Sequence, residues 1–299
     1  MLMPSTTAHL LAEGVRAERT GALDRALELY RAAAAESQDA EVRAEALTRE
    51  ADVLRARCEW DPALDCSRQA QSIAREARLF ERLTEAAIAE ANIWMCRGDF
   101  AEAMPRFGDI VSTSPVPRLT GIALQNIGSM HAQTGQPRAA RKAFEESMES
   151  FREAGYARGE AIALNNLGRL ALDSGERGAA LQHLERALGL AREVEDYELA
   201  ALACMNLSLA LCEEGHLERS QDLAMAALGY FAEEKNRWRE IECLRLVGQI
   251  NECREDFANA KRCYELALNL AEQIGSEPEA MATRDRLSAL SKVQPRPYL

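Results

Sequence analysis

A period of 40 residues governs this chain. Residues 161–196, AIALNNLGRLALDSGERGAALQHLERALGLAREVED, read as two amphipathic helices around a Ser174-Gly175 turn. In the first helix Leu164, Leu167, Ala171 and Leu172 recur at helical spacing; in the second, Ala180, Leu181, Leu184, Ala187 and Leu188 share a face. Small residues stand where the two helix axes must approach: Gly168 on the first, Ala180 and Ala187 on the second. Such a hairpin cannot bury its apolar stripe alone and needs a neighbour of its own kind on each side. The sequence supplies them. A shift of 40 residues towards the N-terminus brings Gly128, Gly135, Ala140 and Phe144 into register. A shift of 40 the other way brings in Ser208, Gly215 and Ala227, and a further 40 brings in Gly248, Ala260, Tyr264 and Ala267.

These columns resemble the tetratricopeptide repeat family. Its pattern is a small residue on helix A, a glycine at the A–B turn and alanine at two places on helix B. The G-D-F-A-E-A run at 98–103 is close to the turn that family favours. The usual period is ~34; the longer one here resembles the subclass found in kinesin light chains and LGN/Pins spindle adaptors. The resemblance covers nearly the whole chain. It implies an all-α fold, a right-handed α-α superhelix of seven helix hairpins followed by a C-terminal capping helix.

The hairpins are expected at 8–36, 40–77, 83–111, 118–153, 158–193, 198–233 and 238–273, with the capping helix at 277–293. Residues 1–7 read as a frayed lead and 294–299, with two prolines, as a tail. A length of 299 would ordinarily divide into two domains, but a repeat array is one continuous body whatever its length. The first alanine column of helix B runs Ala26, Ala63, Ala103, Ala140, Ala180, Ser220, Ala260, in steps of 37, 40, 37, 40, 40 and 40. Two inter-repeat connections are therefore expected to be three residues shorter than the rest. One of them holds Pro115 and Pro117, which cannot continue a helix. It reads either as a tight turn or as a rigid corner between a three-repeat and a four-repeat block.

With 36 Lys and Arg against 48 Asp and Glu, the net charge is −12. That balance argues against nucleic acid and against an anionic membrane surface. It fits plain solubility or attraction for a basic partner. No apolar run approaches the ~18 residues of a membrane span, and no secretory signal is visible. The eight cysteines form no C-x-x-C pair and fall among Leu and Ala on helix faces, as in a reducing, cytoplasmic setting. The four histidines are isolated in sequence, so no metal site is expected. Phosphate-binding, serine-hydrolase and zinc-protease signatures are all missing, so the chain reads as a non-enzyme without a cofactor.

Function must then come from a surface. The resemblance implies that helices A line a concave face. Carried over residue by residue, the peptide-binding set is Gln125, Asn126, Ser129 and Gln133; Asn165, Asn166, Arg169 and Asp173; Met205, Asn206 and Leu209; Arg245 and Gln249. Within it Asn126, Asn166 and Asn206 repeat at intervals of 40. Asparagine is a mediocre helix former, so propensity does not explain the column. Its amide can take both the N–H and the C=O of an extended peptide, or it can bridge neighbouring helices A. The column lapses at Ala89 and Leu246. Arg169 and Arg245 could bind carboxylates, opposed by Asp173, Glu213, Glu242 and Glu252. The basic set of chaperone-binding members is not reproduced. The expected role is an adaptor that takes an extended segment of another protein in the groove. The alternative is a peptide- or ligand-sensing module whose output lies in a separate partner. Self-association through the terminal repeats is a third possibility.

Overall fold

The computed structural model describes residues 6–291, and among these the chain is all α, with no strand. The helices gather into two compact units, residues 1–155 and 156–299. The first unit holds four hairpins: α1 (Thr6–Arg19) with α2 (Leu23–Glu36), α3 (Ala40–Ala56) with α4 (Trp60–Glu76), α5 (Phe80–Arg97) with α6 (Phe100–Thr113), and α7 (Pro117–Gln133) with α8 (Pro137–Glu153). The second holds three, α9 (Ala157–Asp173) with α10 (Arg177–Glu193), α11 (Tyr197–Glu213) with α12 (Leu217–Glu233), and α13 (Arg237–Cys253) with α14 (Phe257–Gln273), followed by α15 (Glu277–Ser291). These are the seven hairpins and extra helix that the period implies. Thr6 and Thr7 already belong to α1; the rest of the expected lead, and the tail at 294–299, lie outside the described residues. No helix among the described residues is long and apolar enough to cross a membrane.

The columns read from sequence are the contact points. Ala26, Ala63, Ala103, Ala140, Ala180, Ser220 and Ala260 are all fully buried. Close approach of the axes explains the glycines facing them. A methyl group added at Gly168 would stand 2.5 Å from Leu184 Cγ, and one at Gly248 would stand 2.6 Å from a Tyr264 ring carbon. Where Ser208 takes the glycine column, its hydroxyl donates to Ser220 O at 2.7 Å, and Ser220 Oγ donates in return to Ser208 O at 2.7 Å. The polar substitution is thus satisfied inside the core.

The shortened repeats correct the sequence reading. The connections are not shorter: three residues link α2 to α3 and α6 to α7, as three link α4 to α5. The loss is in the helices, since α2 and α6 have 14 residues where α4, α8, α10, α12 and α14 have 17. The full-length B helices run into a left-handed residue, at Arg78, Gly155, Glu195, Lys235 or Gly275. The short ones stop instead at a serine in extended conformation, Ser37 and Ser114. Each serine Oγ accepts from the backbone N–H two residues on, Asp39 at 3.1 Å and Val116 at 3.2 Å. This side-chain turn offers the chain an exit from the helix one turn early. Pro117 then opens α7 at the first helical position, where no N–H is missed.

The last helix closes the second unit. Ala280 packs with Ile241, Leu244, Ala267 and Ala271, and Leu290 packs with Ala260 and Tyr264. Met281 faces solvent, and Ala280 and Thr283 take the buried positions beside it. One short residue nearer the helix start fits the crossing that a methionine would overfill.

Candidate functional site

In the second unit, helices α9, α11 and α13 turn one face towards two adjoining cavities. The first, of about 370 Å³, is bounded by Arg169, Met205, Asn206, Leu209, Arg245 and Gln249, with Glu242, Leu246, Tyr264, Ala282 and Arg286 completing the wall. The second, of about 390 Å³, includes Asn165, Asn166, Arg158, Leu202 and Arg239, and shares Arg169, Met205 and Asn206 with the first. Asp173 lies at the end of α9, exposed, with an oxygen 3.3 Å from Arg169 Nε.

The asparagine column adopts the bridging arrangement at two positions. Asn206 Nδ2 donates to Asn165 Oδ1 at 3.0 Å, tying α11 to α9. In the first unit Asn126 Nδ2 donates to Asn92 Oδ1 at 2.9 Å, tying α7 to α5. The bridge consumes one donor and one acceptor of each pair. It leaves the Asn206 carbonyl and the Asn165 amide protons beside the second cavity. Asn166 and Gln249 line the cavities without a side-chain hydrogen bond among the described residues. On α7, Ser129 Oγ donates to Gln125 O at 3.0 Å, Gln125 Oε1 is buried without a partner, and Gln133 is exposed. These four first-unit residues and the second-unit set therefore stand in separate compact bodies.

Most of the charge in the cavities is already matched. Arg158 Nε is 2.6 Å from Asp196, Arg239 is 2.7 Å from Glu242, and Arg245 pairs with Glu279 of α15. Arg245, read from sequence as a carboxylate ligand, is thus engaged within the protein. The Tyr264 hydroxyl donates to Glu252; burial, then that bond, pushes its pKa far above the usual phenol range. Arg286 has no ion-pair partner among the described residues. Two cysteines of neighbouring helices, Cys212 on α11 and Cys253 on α13, meet as free thiols with sulfurs 3.7 Å apart. Among the described residues no three His, Cys, Asp or Glu side chains are placed to hold a metal.

Sequence reasoning missed Arg158, Arg239, Tyr264, Ala282 and Arg286. Tyr264 was legible as the large residue opposite Gly248, but its edge also reaches the cavity. Arg286 lies on a helix outside the repeat period, so no column pointed to it.

Residues 119–193 match the tetratricopeptide repeat family, and the seven hairpins share the fold of that family. No curated protein matches the sequence. Among solved structures it is similar to the apo form of RapI, at 16% identity and a TM-score of 0.65, covering 90% of this chain and 98% of that one. It is also similar to a Rap protein complexed with Competence and Sporulation Factor, at 17% identity and a TM-score of 0.60, covering 98% of this chain and 77% of that one. A signal transduction ATPase with a tetratricopeptide repeat sensor from Pyrococcus horikoshii gives 13% identity and a TM-score of 0.68. That match covers 93% of this chain, which spans 44% of the ATPase.

Proposed function

We propose that the chain is a protein-interaction module and that its second unit binds an extended peptide segment across helices α9, α11 and α13. The observation that carries this reading is the pair of adjoining cavities joined at Arg169, Met205 and Asn206. An apolar floor of Met205, Leu209 and Leu246 stands next to unengaged amides at Asn166 and Gln249. An extended strand needs this combination: amides for its backbone and apolar pockets for alternate side chains. Similarity in fold to the Rap protein complexed with Competence and Sporulation Factor supports a ligand-taking role. The Pyrococcus sensor module supports the variant in which binding is signalled to a separate output.

The test begins with a photo-crosslinking residue at Leu209. Its adducts from the native cell extract are mapped by mass spectrometry. The segment found is synthesised and titrated against the protein. Binding should weaken by about tenfold or more in Asn166→Ala with Gln249→Ala, which removes up to two hydrogen bonds at ~0.5–1.5 kcal/mol each. A partner whose isolated segment does not bind, or an unchanged affinity in the double variant, overturns the groove reading.

A further inference from the structure

The charge left over in the first cavity identifies the ligand further. Its lining carries Arg169, Arg245 and Arg286 against a single carboxylate, Glu242. Glu242 is matched by Arg239, and Arg245 by Glu279. What remains is two guanidinium groups. Arg286, from α15, has no carboxylate within ion-pair distance among the described residues. Arg169 has only Asp173, one turn on along the same helix, with both side chains more than half exposed (54% and 61%). A pair of that kind holds its arginine weakly. Its contact is through Nε, which leaves the terminal N–H groups for another acceptor. The same cavity is lined by Met205, Leu209 and Leu246 and by the Asn206 and Gln249 amides. A local cationic site thus stands in a chain whose net charge is −12.

We infer that this cavity takes a side-chain carboxylate of an acidic peptide segment, held between Arg169 and Arg286 with its aliphatic stem on the Met205–Leu246 floor. Guanidinium forks match a carboxylate in geometry as well as charge. An acidic segment differs from the basic partner that the overall charge, read as more than solubility, would attract. The inference rests on the groove reading above and adds the chemistry of the bound segment.

The test uses fluorescently labelled, amide-capped peptides of alternating Leu and Glu, Leu and Gln, or Leu and Lys, together with the Leu/Gln peptide bearing a free C-terminus. Anisotropy titrations are made with the whole protein. The Leu/Glu peptide should bind about tenfold or more tighter than capped Leu/Gln, and Arg286→Gln or Arg169→Gln should abolish that preference. Arg262→Gln, on the exposed face of α14 and away from the cavity, should keep it. Arg286→Glu should turn the preference towards Leu/Lys, a gain that misfolding cannot produce. Equal binding of capped Leu/Glu and Leu/Gln leaves the groove standing and overturns the acidic preference. A preference that survives both arginine substitutions does the same. If only the free C-terminus binds tightly, the cavity reads a chain end and the acidic-segment proposal falls. If no peptide of any composition binds, the groove reading itself falls and this inference with it.

Discussion

Changing Gly168 to alanine sets two effects of opposite sign against each other in one helix. Alanine is the better helix former by ~0.8–1.0 kcal/mol. In place, however, the new methyl carbon would stand 2.5 Å from Leu184 Cγ and 2.7 Å from its Cδ2. Leu184 is fully buried, so it has no solvent to swing into. Overpacking of this kind costs ~1–3 kcal/mol. The sum is a destabilisation of ~0–2 kcal/mol, centred near ~1, in the native background. Leu184→Ala alone should cost ~2–5 kcal/mol through lost burial and a cavity. In that background the obstacle is gone, so Gly168→Ala should now stabilise by ~1 kcal/mol. The same substitution thus changes sign with its neighbour, which a double-mutant cycle by urea denaturation measures directly. If Gly168→Ala raises stability in both backgrounds, Leu184 yields freely and close axial approach is not what the glycine column provides.

Asn206→Ala should lower stability by ~0.5–1.5 kcal/mol, because it breaks the bridge to Asn165, whereas Asn166→Ala should leave the melting temperature unchanged; equal effects would count against the bridge. Glu255 holds a left-handed conformation (φ 60) at an A–B turn where Gly135, Gly175 and Gly215 stand in other repeats. Glu255→Gly should therefore stabilise by ~0.5–1 kcal/mol, and a fall in melting temperature would show that the side chain contributes more than its backbone costs. Burial, with Glu242 nearby, pushes the Cys243 thiol from 9.0 up to about 12. The native state then holds that proton after the unfolded state has lost it, so this group's contribution to stability falls as pH rises from 9.0 towards 12. At pH near neutrality, mass spectrometry after iodoacetamide should find the exposed Cys58 and Cys96 alkylated before Cys243.

The fold was legible because its constraints repeat. A glycine or alanine that recurs every 40 residues reports a close crossing, and each member of the Ala26–Ala260 column lies buried as the period requires. Features written once were not legible. The step of 37 was visible, but not its location in the helices, because the serine turns at Ser37 and Ser114 look like ordinary loop residues. The site divides in the same way. Met205, Asn206, Leu209 and Gln249, carried over from the family resemblance column by column, do line the first cavity. Arg286 and the engagement of Arg245 by Glu279 depend on α15, whose sequence has no second copy to compare. The asparagine column shows a further limit: recurrence marks a position as constrained without saying whether the amide faces a neighbouring helix or a ligand.

The two serine exits have a consequence for how such an array can change length. Three residues are close to one turn of α-helix. Removing them from the end of helix B deletes one row of side chains and returns the chain to nearly the same side of the helix. Every buried column upstream keeps its partner, and the three-residue link to the next hairpin is unaltered. Insertions and deletions here therefore come in whole turns, with the serine acting as a full stop that can be set one turn earlier. Glu-Lys replacing Ser114-Pro115, as at 234–235, with a turn of α12 sequence inserted ahead of it, would convert this 37-residue repeat into a 40-residue one and leave its neighbours undisturbed.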